Sequence, residues 1–492
     1  MGAAATGLAP FRSTRHFAGV GEPAQTDEAV ARLSLRGPAA LVLVAVLSLL
    51  LLIERPVWDV DVFWQLRLGE LILGARGPLS AEPFAARHLG EHLPALAWAG
   101  QALYAGLREI GGWSLLRTVD ALCWLGGFWA AALAARRRGA AALGLALALA
   151  LGLIAALPQA SVRPQSMGVL CFGLLIVLAF RPMRAGPRLV LAALLLLVWQ
   201  NLHPSVAIGA VWLGTLAALR CAGWLRTREG PLPWEPVALA AMAAVATVLT
   251  PEGPGIFAVS AANATASRAM GVSEWLPLWH PVNRQVAVPI LAVALLSGWL
   301  VGRTGRWAAD EVVPALAMLV LTVVSYRFVL FWAVALVPVI ARTAPPSAEA
   351  RLPWYLRTVP LAVAIGLGIL LPTRFDPSLP LGEVAQLRAA SVKGTIYAHF
   401  PWGGPLIDAG YPAWRVAYDG RYYRYTPAEW QAYGAASRGE MTLAAVEATW
   451  HPAAFLLDPD WNAPLVSALR ADPARWRELP GGGRAIAFIP AK

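Results

Sequence analysis

Between Pro38 and Leu371 the chain consists of repeated apolar runs of about 16–20 residues, separated by short polar connections. The pattern predicts helical spans over Pro38–Ile53, Trp113–Ala135, Ala140–Leu157, Ser166–Phe180, Leu189–Asn201, Pro204–Leu219, Pro236–Thr250, Val286–Val301, Val312–Ser325, Phe328–Ala341 and Val359–Leu371. Arginine sets the alternation, because positive charge collects on the cytoplasmic side of a membrane. The triplet Arg136-Arg137-Arg138 ends one span, and Arg181/Arg184/Arg188, Arg220/Arg226/Arg228, Arg303/Arg306 and Arg342/Arg351/Arg357 follow every second span after it. Leu93–Ile110 is also apolar but is interrupted by Pro94, Gln101 and Arg108. If the arginine triplet is cytoplasmic, that run does not cross, and it reads as an amphipathic helix on the membrane surface.

Past Arg374 the pattern changes. Proline, glycine, aspartate and tyrosine rise, and short β-type runs appear at Thr395–Ala398, Arg415–Tyr418, Phe455–Leu457 and Ala485–Ile489. Helical patterns fall near Pro427–Ala436 and Pro464–Arg470. The expected fold is an α-helical polytopic membrane protein of about eleven transmembrane helices with a C-terminal extracytoplasmic α/β domain. Its divisions are a cytoplasmic tail over residues 1–36, a membrane domain over 37–372 with a first outer loop at 54–112, and the outer domain over 373–492.

Composition agrees with this reading. Of 492 residues, 58% are hydrophobic and only 14% charged, whereas soluble domains carry about a quarter charged residues. The net charge of +11 sits between the apolar runs, so it calls for no nucleic-acid partner. Lysine occurs only at Lys393 and Lys492, and the arginine- and alanine-rich usage points to a GC-rich bacterial genome. Cys123, Cys171 and Cys221 lie in or next to apolar runs without metal or redox spacing and read as small core residues. The first 36 residues hold no apolar segment of signal-peptide type. The N-terminal M-G-A-A-A-T match to a myristoylation pattern and the sequon at Asn263 both read as chance in a bacterial chain. The expected location is the bacterial inner membrane, with the N-terminus cytoplasmic.

The candidate chemistry gathers on the predicted outer side. Asp59–Glu70, D-V-D-V-F-W-Q-L-R-L-G-E, follows the first span and supplies Asp59, Asp61, Gln65 and Arg67. Arg163, Asn201, His203, Glu274 and Arg327 fall in later outer connections, as do His88, Glu91, His92 and Glu252. Ionisable groups at membrane depth are functional candidates. Each also has a plainer reading: Asp59 or Asp61 as a helix cap, Arg163 and Arg327 as interfacial anchors, His203 and Glu252 as turn residues, Glu274 as half of an interfacial pair. No P-loop, zinc signature or nucleophile elbow is present. One carboxylate with several cations beside a bilayer suits transfer from a phospholipid carrier. An Asp takes the proton of an acceptor hydroxyl, while Arg or His stabilises the departing phosphate.

The arrangement resembles the integral-membrane glycosyltransferases of the GT-C fold, and within them a bacterial branch whose first loop reads D-P-D-x-W-W-H-L-x-x-G-x-x-I followed by D-P-F-S. The matching positions are Asp59, Asp61, Phe63, Trp64, Gln65, Leu66, Gly69 and Ile72, then Glu82, Pro83, Phe84 and Ala85. Arg163-Pro164, Asn201-Leu202-His203, Thr250-Pro251, Glu274-Trp275, Trp402-Gly403-Gly404 and Asp419-Gly420-Arg421 resemble further short elements. Gln65 stands for His, Glu82 for Asp and Ala85 for Ser. The resemblance implies an acid in the first outer loop as general base, Asp61 or Asp59, and a polyprenyl-phosphate-linked sugar donor. Gln65, Arg67, Arg163, Asn201, His203, Glu274 and Arg327 are then the candidates for holding sugar or phosphate. No cofactor is predicted, although Asp59, Asp61 and Glu274 offer oxygen ligands to a divalent metal. The alternatives are a catalytically lapsed protein of the same fold that binds a lipid-linked glycan, which Gln65 favours, and a transporter, which the nearly charge-free span centres disfavour, Asp120 being the exception.

Overall fold

The structure, a computed structural model, describes residues 24–346, 349, 351–481 and 483–491. The start of the expected tail, residues 1–23 with Arg12 and Arg15, lies outside the described residues. Thirteen helices precede the outer domain: α1 (Ala24–Glu54), α2 (Asp61–Ala75), α3 (Trp98–Arg137), α4 (Ala142–Ala156), α5 (Gln165–Phe180), α6 (Ala185–Leu202), α7 (Val206–Thr227), α8 (Trp234–Ala246), α9 (Gly255–Ala269), α10 (Arg284–Thr304), α11 (Ala309–Val324), α12 (Val329–Thr343) and α13 (Trp354–Leu370).

Each expected span corresponds to one of these helices, with shifted ends. α1 begins inside the expected tail and runs through Pro38. Among the described residues seven helices are long and apolar enough to cross a membrane, and α5, α8 and α13 are shorter apolar helices. The predicted span Pro236–Thr250 forms only the 13-residue α8, about 20 Å long, which falls short of a roughly 30 Å hydrocarbon layer. α2 and α9 were not predicted; they lie within the expected loops at 54–112 and 251–285. The run at Leu93–Ile110 becomes helical only from Trp98, and Gly111-Gly112 divide it from the following span. Gly112 takes φ 64° and ψ −163°, a conformation open to glycine alone, so the two halves of α3 are separate rods.

The centre of the bundle is α12, whose residues Val329–Ala341 are buried all round except as the helix nears Arg342. α3, α4, α5, α10 and α11 pack about it. The outer helices bury one face and leave the other to lipid: on α1, Leu49, Leu52 and Ile53 are buried while Leu43, Leu47 and Leu51 are exposed at four-residue intervals. α3 and α5 approach at backbone distance because Gly127 faces Gly173. A Cβ on Gly173 would overlap the Gly127 main chain, so Gly173→Ala is expected to cost about 1–3 kcal/mol through overpacking, read as a lowered Tm in detergent.

The predicted cytoplasmic arginines meet at one end of the bundle. Arg138 pairs with Asp310 at 3.3 Å and Glu311 at 3.0 Å, Arg342 with Glu311 at 2.7 Å, and Arg220 with Asp310 at 3.4 Å.

The remaining residues form a small domain with the elements α14 (Leu381–Ala389), β1 (Gly394–Ala398), α15 (Gly403–Gly410), β2 (Trp414–Val416), α16 (Pro427–Ser437), α17 (Leu443–Trp450), β3 (Pro452–Leu457), α18 (Ala463–Arg470), β4 (Trp476–Glu478) and β5 (Ile486–Pro490). The sheet order is β2-β1-β3-β5-β4; β1 is parallel to both its neighbours and the other pairings are antiparallel. β4, α14, α15 and α17 went unpredicted. The domain is tied to the bundle by α15 against α2. A Cβ on Gly404 would strike the Val60 carbonyl, and Arg108 bridges Asp408 at 2.8 Å and Glu70.

Candidate functional site

The site is a cleft of about 160 Å³ between the bundle and the outer domain, lined by Asp61, Trp64, Gln65, Arg163, His203, Glu274, Trp275 and Arg327 from the bundle and by Gly420–Tyr423 from the outer domain. Asp61 is the first residue of α2. Asp59 Oδ1 accepts the N–H of that residue at 2.9 Å, a local bond across Val60. The Trp64 indole donates to Asp61 Oδ1 at 3.1 Å, which fixes the carboxylate toward the cleft. Asp59 is 1% exposed, does not line the cleft, and contacts the guanidinium of Arg163.

Arg163 spans three carboxylates: Asp59, Asp61 Oδ2 at 3.4 Å and Glu274 Oε2 at 3.4 Å. Its loop is held from beneath. The Arg163 N–H donates to Asp120 Oδ1 at 3.3 Å, and the Tyr104 hydroxyl donates to the Arg163 carbonyl at 2.8 Å while also meeting Asp120 and Ser166. Asp120 is thus a support for the site, and its burial in a span has a structural cause. Arg327 lies 3.7 Å over the Trp275 ring, and its Nη1 is buried with no hydrogen-bond partner. Gln65 Oε1 and His203 Nδ1 are likewise buried and unpartnered. These three leave donor and acceptor positions free on the cleft wall.

Electrostatics separate the acids. Burial pushes the Asp61 carboxyl up to about 7, against the pull of Arg163 and with the push of Asp59. Burial acts the same way on Glu274, but Arg163 and Arg327 outweigh it and hold that carboxyl below its ordinary range. Burial, with Arg327 and Arg163 adding to it, lowers His203 to about 3, so its imidazole is neutral at physiological pH. The Arg163 guanidinium occupies the space among the carboxylates, and among the described residues no group of three His, Cys, Asp or Glu side chains is arranged to hold a metal ion.

Two expected site residues point elsewhere. Arg67 pairs with Glu70 at 2.6 Å and reaches the Asp408 carbonyl, on the face of α2 that docks the outer domain. A helix turns side chains about 100° per residue, which takes Arg67 away from the face of Asp61 and Gln65. Asn201 accepts from the Trp98 indole at 2.7 Å and donates to the Leu197 and Leu249 carbonyls, which uses up its amide. Of the other outer polar residues, His92 meets Glu252 at 3.1 Å, and His88 meets Glu91 at 2.9 Å and Glu429 at 3.0 Å; they join loops.

The sequence reading gave no role to the wall from the outer domain. Arg421 is fully buried and pairs with Glu82 at 2.6 Å and Asp419 at 2.7 Å, while Glu82 also accepts the N–H groups of Phe84 and Ala85. This triad clamps the first loop to the turn after β2 and places Gly420, Tyr422 and Tyr423 over Asp61. A Cβ on Gly420 would collide with Asp61 Oδ1, so any larger residue there would have to push the carboxylate aside. The resemblance of Asp419-Gly420-Arg421 to a family element was the available signal. Glu82, read as a departure from that family, has its length used in reaching Arg421.

No family model matches the chain, and no curated protein matches it. Solved structures do. ArnT from Cupriavidus metallidurans, bound to undecaprenyl phosphate, aligns with a TM-score of 0.52 at 14% identity over 94% of this chain and 98% of that one. The Archaeoglobus fulgidus oligosaccharyltransferase in its apo form aligns at 0.48 and 11% identity, over 90% of this chain and 73% of the other. The chain has the GT-C fold, as a multi-pass helical membrane protein with a small C-terminal sheet domain.

Proposed function

We propose that this protein transfers a sugar from a polyprenyl-phosphate-linked donor to a hydroxyl of an extracytoplasmic acceptor, with Asp61 as general base. The observation that carries the reading is the cleft itself: the Asp61 carboxylate faces the same space as the unpaired Arg327 guanidinium nitrogen and the unpaired His203 and Gln65 atoms. In this reaction the acceptor oxygen attacks the anomeric carbon as its proton passes to Asp61. The bond from that carbon to the phosphate oxygen breaks, and the phosphate leaves with the electron pair. Arg327 offers that charge a donor already in place, and neutral His203 offers a hydrogen bond. A single displacement inverts the anomeric centre. Asp59 and Glu274 hold Arg163, and Arg163 orients Asp61. The arginine distribution supports the cleft facing outward, from the inner membrane of a bacterium.

Reconstitution in proteoliposomes with a polyprenyl-phosphate sugar tests this, with release of free polyprenyl phosphate as the readout. Release that depends on Asp61 supports the proposal; no release with any such donor overturns it. Arg327→Ala is expected to weaken binding of undecaprenyl phosphate about tenfold, the size of one charge-assisted hydrogen bond, as measured by a fluorescence titration. Gln65, in the cleft where the resembling branch has His, favours a second reading: the same fold binding a lipid-linked glycan without turnover. Tight donor binding with no phosphate release would select it.

A further inference from the structure

The parallel part of the outer-domain sheet has a feature that the reaction above does not use. The chain runs from β1 to β2 on one side and later places β3 on the other, so the gap between β1 and β3 is a switch point. Open α/β sheets bind ligands in the crevice beyond the carboxyl ends of strands at such points. Here those ends are marked by His399, directly after β1, and Asp458, directly after β3. The His399 N–H donates to the Leu456 carbonyl at 2.9 Å, which locks the two ends together.

Around this crevice the side chains are ordered. The His399 ring lies 5.0 Å from Trp402 and 5.8 Å from Trp461, centroid to centroid, with Nδ1 3.4 Å from the Tyr433 hydroxyl. Asp458 is buried; its Oδ1 accepts the N–H groups of Asp460 at 2.9 Å and Trp461 at 3.1 Å, and its Oδ2 lies 3.3 Å from Arg484. Asn462 closes the loop through Asp458 and Ser437. The loop is therefore fully bonded, yet it holds Trp461 outward at 52% exposure. Among the described residues Trp461 is the sole large apolar side chain exposed beyond residue 373. Burial lowers His399 to about 4, Arg484 helping and Asp458 opposing, so the imidazole is neutral. The neighbouring Phe400 ring is 5.7 Å from Tyr422, which lines the cleft at Asp61.

We propose that Trp461 and His399 form a carbohydrate subsite for a neutral pyranose unit of the acceptor, remote from the hydroxyl that reacts. The indole face covers the apolar face of the sugar ring, and His399 and Arg484 supply the polar rim its hydroxyls need, with Asp458 holding the loop behind them. The inference rests on the glycosyl-transfer reading and narrows it: the acceptor is a glycan longer than one unit. A tryptophan serving only to dip into lipid needs neither the polar rim nor a rigid loop.

The test measures binding alone, on the full chain in lipid nanodiscs without donor, so that it stands apart from catalysis. The probe is an array of neutral hexose oligomers, followed by titration of the best binder. The wild type is expected to bind, Trp461→Ala to weaken binding about tenfold with unchanged Tm, and Trp461→Tyr to recover most of it. Absence of binding by the wild type, or equal binding by Trp461→Ala, would overturn the subsite. A Trp461→Ala protein that binds sugar normally but shows altered quenching by lipid-borne quenchers would make the residue a membrane anchor instead.

Discussion

Asp61→Asn is expected to lower sugar transfer roughly 100- to 10,000-fold, the usual worth of a positioned general base. The substitution keeps the shape of the side chain and can still accept the Trp64 indole N–H, so the fold and the cleft should survive. What it removes is the ability to take a proton. The pH profile checks the assignment independently. A base works deprotonated, and burial brings Asp61 up to about 7, so transfer should rise with pH through that value and level off above it. Below it the rate should fall about tenfold per pH unit. The limb should disappear in Asp61→Asn, leaving a low, flat profile. His203, lowered to about 3, adds no limb of its own near neutrality. Asp59→Asn is the control: it loosens Arg163 without touching the cleft, and should lower the rate while keeping the pH limb. A limb that persists in Asp61→Asn and vanishes in Asp59→Asn would reverse the two roles.

Arg421→Met should cost about 3–5 kcal/mol, because it strips the buried Asp419 of its counter-charge and leaves the buried Glu82 only Arg424, 3.3 Å away. The lost contact is also one of those that join the first loop to the outer domain. Two measurements should therefore move together: Tm in detergent should fall, and a protease should begin to cut within residues 76–97 or near Gly420. Combining Glu82→Gln with Arg421→Met removes one of the stranded charges and should recover part of the loss. Unchanged stability in the single variant would mean that the triad contributes nothing to docking.

The apolar runs made the helices legible because a membrane helix must satisfy its backbone within itself, and its length follows from the bilayer. One-sided arginine made the alternation legible, and the convergence of Arg138, Arg220 and Arg342 on Asp310 and Glu311 shows those helix ends together. α9 was missed because a polar loop between spans gives no such signal. In the cleft, Asp61, Gln65, Arg163, His203, Glu274 and Arg327 were legible as costly polar residues on one side. Arg67 and Asn201 satisfied the same rule and proved to be structural. Which way a side chain leaves a helix depends on where that helix starts, and α2 starts at Asp61, inside what reads as a loop. The contribution of Arg421 was the hardest to foresee. Its partner Glu82 is 339 positions away, and no local periodicity carries a pairing of that range.

That separation bears on biogenesis. The first outer loop leaves the ribosome early, yet Val57 is held by the main chain at Arg374 and Asp376, and Glu82 by Arg421. α12, the hub of the bundle, is itself made only at Val329–Thr343. Asp61 thus leaves the ribosome more than 350 residues before Gly420–Tyr423, the outer-domain wall of its cleft, are made. A product cut short before Gly420 would lack both the buried partner of Glu82 and the cleft wall that faces Asp61.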